Sequence, residues 1–114
     1  MNAPLALPEV LDVGPEQLDA HIAQEKRLVV VYMWGPDCPN CVIFKRQLPG
    51  LLKELSGATV VLLKIDVYAH PEVARRYAVY GIPHFLLFKG GVRLGKMSEF
   101  RGDAFWLAVV KEKL

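Results

Sequence analysis

An α/β fold, with a mixed central sheet of roughly four or five strands flanked by about four helices, is what this chain predicts, and three observations carry that reading. Apolar runs over Leu28–Trp34 and residues 59–65 alternate with segments of helical spacing, the order that builds parallel crossovers. Gly90-Gly91 then joins two further extended runs as a hairpin, which adds antiparallel pairing to the same sheet. A length of 114 residues fits one core, so a single domain over 1–114 is expected.

Along the chain, a weak first strand edged by prolines gives way at Gly14-Pro15 to a short helix carrying Leu18 and Ile22 and running to about Glu25. Leu28–Trp34 is the next strand. From Cys41, the residues Val42, Ile43, Phe44, Leu48, Leu51, Leu52 and Leu55 keep a helical spacing that Gly57 ends. Pro49 has no N–H to give the helical ladder and is expected to kink or divide this helix. Residues 59–65, rich in Val and Leu, read as a strand covered on both faces, as parallel or central strands are. Pro71 opens a third helix with Val73, Ala74, Tyr77 and Ala78, closed by Gly81-Ile82-Pro83. His84–Lys89 is a strand, and its hairpin partner starts at Val92, with Gly95 marking a bulge. Asp103 is placed as the cap of a last helix that lays Phe105, Trp106, Val109 and Val110 against the sheet.

The chemistry lies in Cys38-Pro39-Asn40-Cys41, which holds both cysteines of the chain at the mouth of the second helix. Positions three apart share a helix face, so the two sulfurs can meet as a disulfide or part as thiols. A helix N-terminus favours negative charge and lowers a thiol pKa, which makes Cys38 the nucleophile and Cys41, one turn inward, the resolving thiol. The charge of Asp37, next to Cys38, would oppose the thiolate. Half of a zinc site is the bland alternative. A structural zinc needs four ligands, and only His21, His70 and His84 could add to the pair, none at a ligand spacing, so no metal is expected. Tyr32 is most simply a large core residue, and His84 has an even chance of facing the core.

Composition narrows the remaining classes. A formal charge of +2, with lysines and arginines scattered among acids, forms no stripe for a phosphate backbone, so nucleic acid is not an expected partner. The hydrophobic fraction of 53% is high, yet no run approaches the ~20 residues that cross a bilayer, and no membrane association is expected. The segment 1–9 lacks a basic start and is interrupted by prolines and Glu9, unlike an export leader. A cytoplasmic protein is therefore expected, and in that reducing compartment a close cysteine pair is catalytic or metal-binding more often than structural.

From about Glu16 to its end the chain resembles the thioredoxin family. Trp34 stands four residues before Cys38, the CxxC opens a helix, Gly81-Ile82-Pro83 falls where that family places its cis-proline, and Phe88-Lys89-Gly90-Gly91 matches its strand and turn. The resemblance implies a thioredoxin-like fold and a thiol-disulfide oxidoreductase cycling Cys38 and Cys41. It implies protein disulfides as clients, an electron donor such as a thioredoxin reductase or a small thiol, no cofactor beyond the redox-active disulfide, and a monomer. It also implies that the Ile82–Pro83 bond is cis beside the sulfurs, and that Trp34, Pro39, Asn40, Ile82 and Pro83 form the surface a client meets. Tyr32, Asp37 and His84 are the positions that would tune the pair.

The chain departs from thioredoxins in placing Pro39-Asn40 between the cysteines and Asp37 before them. It has Tyr32 where they bury an aspartate, and Leu62 where that aspartate has its lysine. The proline is preceded by Gly-Ile, and Gly90-Gly91 is followed by Val92-Arg93, so the glutathione-binding segments of glutaredoxins are not matched. A thioredoxin-fold binding module with little turnover, or less readily a zinc or iron–sulfur carrier, remains open at this point.

Overall fold

Seven consecutive residues without a charge make Leu28–Trp34 a strand with almost no solvent face, and it takes the middle of the sheet. The computed structural model describes residues 5–114; residues 1–4, part of the segment compared above with an export leader, lie outside them. The elements are β1 (Glu9–Asp12), α1 (Pro15–Gln24), β2 (Leu28–Trp34), α2 (Pro39–Glu54), β3 (Val60–Asp66), α3 (Pro71–Arg76), β4 (His84–Lys89), β5 (Val92–Met97) and α4 (Asp103–Lys113). The sheet order is β1-β3-β2-β4-β5. β3 runs parallel to both β1 and β2, while β4 runs antiparallel to both β2 and β5.

Alternation along the strands sends their side chains into two cores. Val29, Val31 and Met33 join Leu18 and Ile22 of α1 and Val73 of α3 on one face. Leu28, Val30 and Tyr32 join Phe44, Leu51, Trp106 and Val110 of α2 and α4 on the other. Each such side chain, fully buried, contributes about 1.5–3 kcal/mol of hydrophobic stabilisation, which is what holds short helices that would not persist alone.

Several local expectations are corrected. α2 is not divided: it runs continuously through Pro49. Phe44 and Leu51, on either side of the proline, are both buried on one sheet face, and that packing outweighs the missing backbone bond. α3 stops at Arg76, because Ala78 adopts a φ of 55°, which no helical residue can hold. The cap of α4 is Gly102 at φ 96°, and Asp103 is instead the first helical residue, where its charge meets the positive end of the helix. Phe105 is 43% exposed, since only Trp106 and Val110, four apart, face the sheet squarely. The bulge sits beside Gly95: Leu87 pairs with Gly95 and Phe88 with Arg93, leaving Leu94 over. Gly90 and Gly91 both have positive φ, 58° and 78°, as a two-residue hairpin turn requires.

Candidate active site

Two chain segments meet at one end of the sheet because β2 ends where β4 begins. Met33 pairs with His84, so the loop leaving Trp34 arrives beside Ile82-Pro83, whose peptide bond is cis. Gly35 is where they touch. A Cβ there would lie 2.9 Å from Cγ of Tyr68 and 3.0 Å from Cδ1 of Ile82, too close to accommodate without displacement. Tyr68 is itself held by the turn after β3, in which Asp66 Oδ1 accepts from the N–H groups of Tyr68 and Ala69 at 2.8 and 3.1 Å. The loop then passes through Asp37 in the left-handed region, φ 56°, and enters α2.

Cys38 is the N-cap of α2, in extended conformation, with Pro39 as the first helical residue. Its Sγ accepts a hydrogen bond from the Cys41 N–H at 3.2 Å, occupying the place that a Ser or Asp oxygen takes in an ordinary cap. Cys38 and Cys41 are joined as a disulfide with their Cα atoms 5.2 Å apart. Two cavities flank the pair. A groove of about 560 Å³ runs between the active-site loop and α3, lined by Asp37, Cys38, Pro39, Arg75, Tyr80 and Ile82 among others; Cys41 does not reach it. A smaller cavity, about 180 Å³, lies on the opposite side against β2 and β3, and Cys41 lines it together with Cys38, Tyr32, Trp34, Lys45 and Lys64.

A family model described as Thioredoxin matches residues 9–111. The chain belongs to the thioredoxin family. It is 32% identical over 83 residues to the thioredoxin of Buchnera aphidicola subsp. Baizongia pistaciae, covering 69% of this chain and 75% of that protein. It is 31% identical over 91 residues to Glutaredoxin-3 of Mus musculus, covering 78% of this chain and only 26% of that protein, so it spans about a quarter of that relative. A mutant thioredoxin from Halobacterium salinarum NRC-1 shares the fold at a TM-score of 0.79 and 22% identity, covering 94% of this chain and 93% of that one.

Among the residues expected at a thioredoxin-family site, Cys38, Cys41, Trp34, Tyr32 and Asp37 stand together around the smaller cavity, and Pro39 and Ile82 line the groove. Pro83 is buried and lines neither cavity. Asn40 is exposed, and the hydrogen bond to the Cys38 sulfur comes from Cys41 rather than from its amide. Tyr32 is 3% exposed, ring-stacked on Phe85 and 4.7 Å from the Phe44 centroid. Its hydroxyl donates to the Cys41 carbonyl at 3.4 Å, and burial pushes the phenol up to about 12. His84 lies apart. Its pairing with Met33 puts it on the α1 and α3 side of the sheet, where it lines neither cavity, and its Nε2 is buried without a partner.

The residues that sequence reasoning passed over are Gly35, Tyr68, Tyr80, Arg75, Lys45 and Lys64. Tyr68 and Tyr80 are 61% and 94% exposed beside the groove, a degree of display that no periodicity announces. Lys64 did leave a signal: it is the one basic residue in the otherwise apolar first six positions of β3. Among the described residues, no group of three or more His, Cys, Asp or Glu side chains is placed to hold a metal ion, and no helix is long and apolar enough to cross a membrane.

Proposed function

We propose that this chain is a thiol-disulfide oxidoreductase that reduces or exchanges protein disulfides by cycling Cys38 and Cys41 between dithiol and disulfide. The observation that carries the reading is the placement of one sulfur. Cys38 caps the helix with its Sγ and opens onto the groove beside Ile82, whereas Cys41 does not border that groove. Helix-end N–H groups stabilise the Cys38 thiolate, so it attacks a client disulfide, forming a mixed disulfide and expelling one client sulfur as a thiolate. The Cys41 thiolate then attacks Cys38 Sγ, the bond to the client breaks, and the client leaves reduced.

An extended client segment would lie along the backbone at Ile82, in the manner of an added strand, with Trp34, Pro39, Asn40 and Pro83 around the contact. The oxidised pair is returned to the dithiol by a reductase or a small thiol, and the cycle needs no cofactor beyond the two cysteines. The working compartment is proposed to be the cytoplasm.

The test is insulin reduction driven by dithiothreitol. The parent chain should accelerate it, Cys38→Ser should abolish the acceleration, and Cys41→Ser should accumulate a mixed disulfide. A parent rate no greater than dithiothreitol alone would replace this reading with that of a binding module.

A further inference from the structure

The smaller cavity lies on the side of Cys38 away from the groove assigned to the client, and of the proposed client surface only Trp34 borders it. It is the side on which Cys41 meets open space. The charged groups facing it are Asp37 from the loop, Lys45 from α2 and Lys64 from β3. Lys64 pairs in register with Tyr32 on one side and Asp12 on the other, so the three side chains form a row on the sheet face beneath α2. Lys64 Nζ lies 3.6 Å from Asp12 Oδ1; the lysine is 23% exposed and the aspartate 80%. The row's carboxylate therefore stands at the edge strand, with Lys64 between it and Tyr32. Tyr32 itself holds its proton up to about 12 and cannot serve as a base at neutral pH.

The release step needs the Cys41 S–H to lose its proton. The resulting thiolate forms the Cys38–Cys41 bond as the Cys38–client bond breaks, and the client sulfur departs with that electron pair and takes a proton from solvent. Two electrons pass from the cysteine pair to the client.

We propose that Lys64 stabilises the Cys41 thiolate from across the smaller cavity, with Asp12 on its far side drawing off part of its charge, and that the proton leaves to water entering there instead of to a buried carboxylate. This rests on the oxidoreductase reading above. The cavity is wide enough to admit water, and Asp37, Lys45 and Lys64 on its largely apolar lining give water partners. A cation near a thiol favours its charged form, the reverse of what a buried aspartate would do. Lys45 is exposed at the mouth and adds a smaller, more strongly screened share.

The test titrates Cys41 by its ultraviolet thiolate absorbance in a Cys38→Ala background, a readout that a purely structural role for Lys64 would not move. Lys64→Met should lower the thiolate fraction at neutral pH about threefold or more, and Lys64→Arg should restore it. Asp12→Asn, which frees the lysine's charge, should raise the fraction. An unmoved titration in a folded Lys64→Met chain, or a loss as large in Lys64→Arg, would overturn the proposal. Should Lys64→Met fail to fold, Asp12→Asn at its exposed site decides: more thiolate supports the assignment, while no change or less overturns it. The titration involves no turnover, so a chain inactive on insulin would refute the oxidoreductase reading without touching this measurement.

Discussion

A single side chain, Asp37, sits where opposite demands on Cys38 meet. The helix end draws negative charge onto the sulfur, while the neighbouring carboxylate, bordering both cavities, repels it. Removing that charge in Asp37→Asn should leave the backbone undisturbed, because Asn tolerates the left-handed φ of 56° as well as Asp does. The Cys38 thiol should then ionise more readily, and alkylation by iodoacetamide near pH 7 should accelerate by about two- to fivefold. The reduction potential should rise with it, since the charged form belongs to the reduced pair. Slower alkylation would mean that Asp37 aids the sulfur, against this account. Tyr32 shows the limit of reading one residue by alignment with a family. It stands where the family buries an aspartate, yet it is an anchor of an aromatic cluster with Phe44 and Phe85, so Tyr32→Asp would bury a carboxyl where three rings now pack. A loss of several kcal/mol of stability is expected, on the order of 3 kcal/mol or more, measurable by urea unfolding.

At the scale of elements, α2 joins chemistry to core: its N-cap and first turn carry the cysteines and its next turn carries Phe44. Phe44 is fully buried and has ring contacts with Tyr32, Phe85, Phe100 and Trp106, tying α2 to the sheet and to α4. Phe44→Ala should therefore cost about 3–5 kcal/mol, whereas Ile43→Ala, at a position 47% exposed, should cost under about 1 kcal/mol. Comparable losses for the two in urea melts would contradict this assignment of the core. Gly35 is the corresponding joint between loops. Gly35→Val should force Tyr68 and Ile82 apart, destabilise by about 1–3 kcal/mol, and slow client reduction more than it slows alkylation of Cys38.

The strands, the cysteine-bearing helix and the hairpin were legible in the sequence, because apolar runs, a capping position and paired glycines each have a local physical cause. The end of α3, the capping of α4 by Gly102 and the unbroken course of α2 past Pro49 were not. Each is decided by tertiary packing or by a backbone angle that composition leaves open. Around the candidate site, the pairing of Cys38 with Cys41 was legible from spacing and the cis bond before Pro83 from resemblance. The two cavities were not, because they arise only when β2, β3 and α3 are brought together.

For the whole molecule, the sheet divides two cores, and its one buried polar residue among the described positions, His84, lies at the edge of the first. Burial above all, then the charges of Lys96 and Arg93 on the adjoining β5, hold its imidazole below the ordinary value of 6.5. The sign of the consequence is fixed by linkage. Above about pH 6.5 the residue is neutral in both folded and unfolded chains and takes nothing from stability. Below that, the unfolded chain binds the proton first, so stability falls with pH until the folded imidazole titrates too. A second loss follows further down, because Arg27, by hydrogen bond and charge, holds Glu25 at about 2 against an ordinary 4.5. Its contribution is present above 4.5 and fades toward pH 2. The expected profile is thus a two-stage decline on acidification. Urea unfolding of the parent should show the first stage setting in as the pH falls below about 6.5, and His84→Gln should abolish that slope while leaving the lower one in place. If the variant and the parent lose stability in parallel over the upper range, the burial of a neutral His84 is not what governs it.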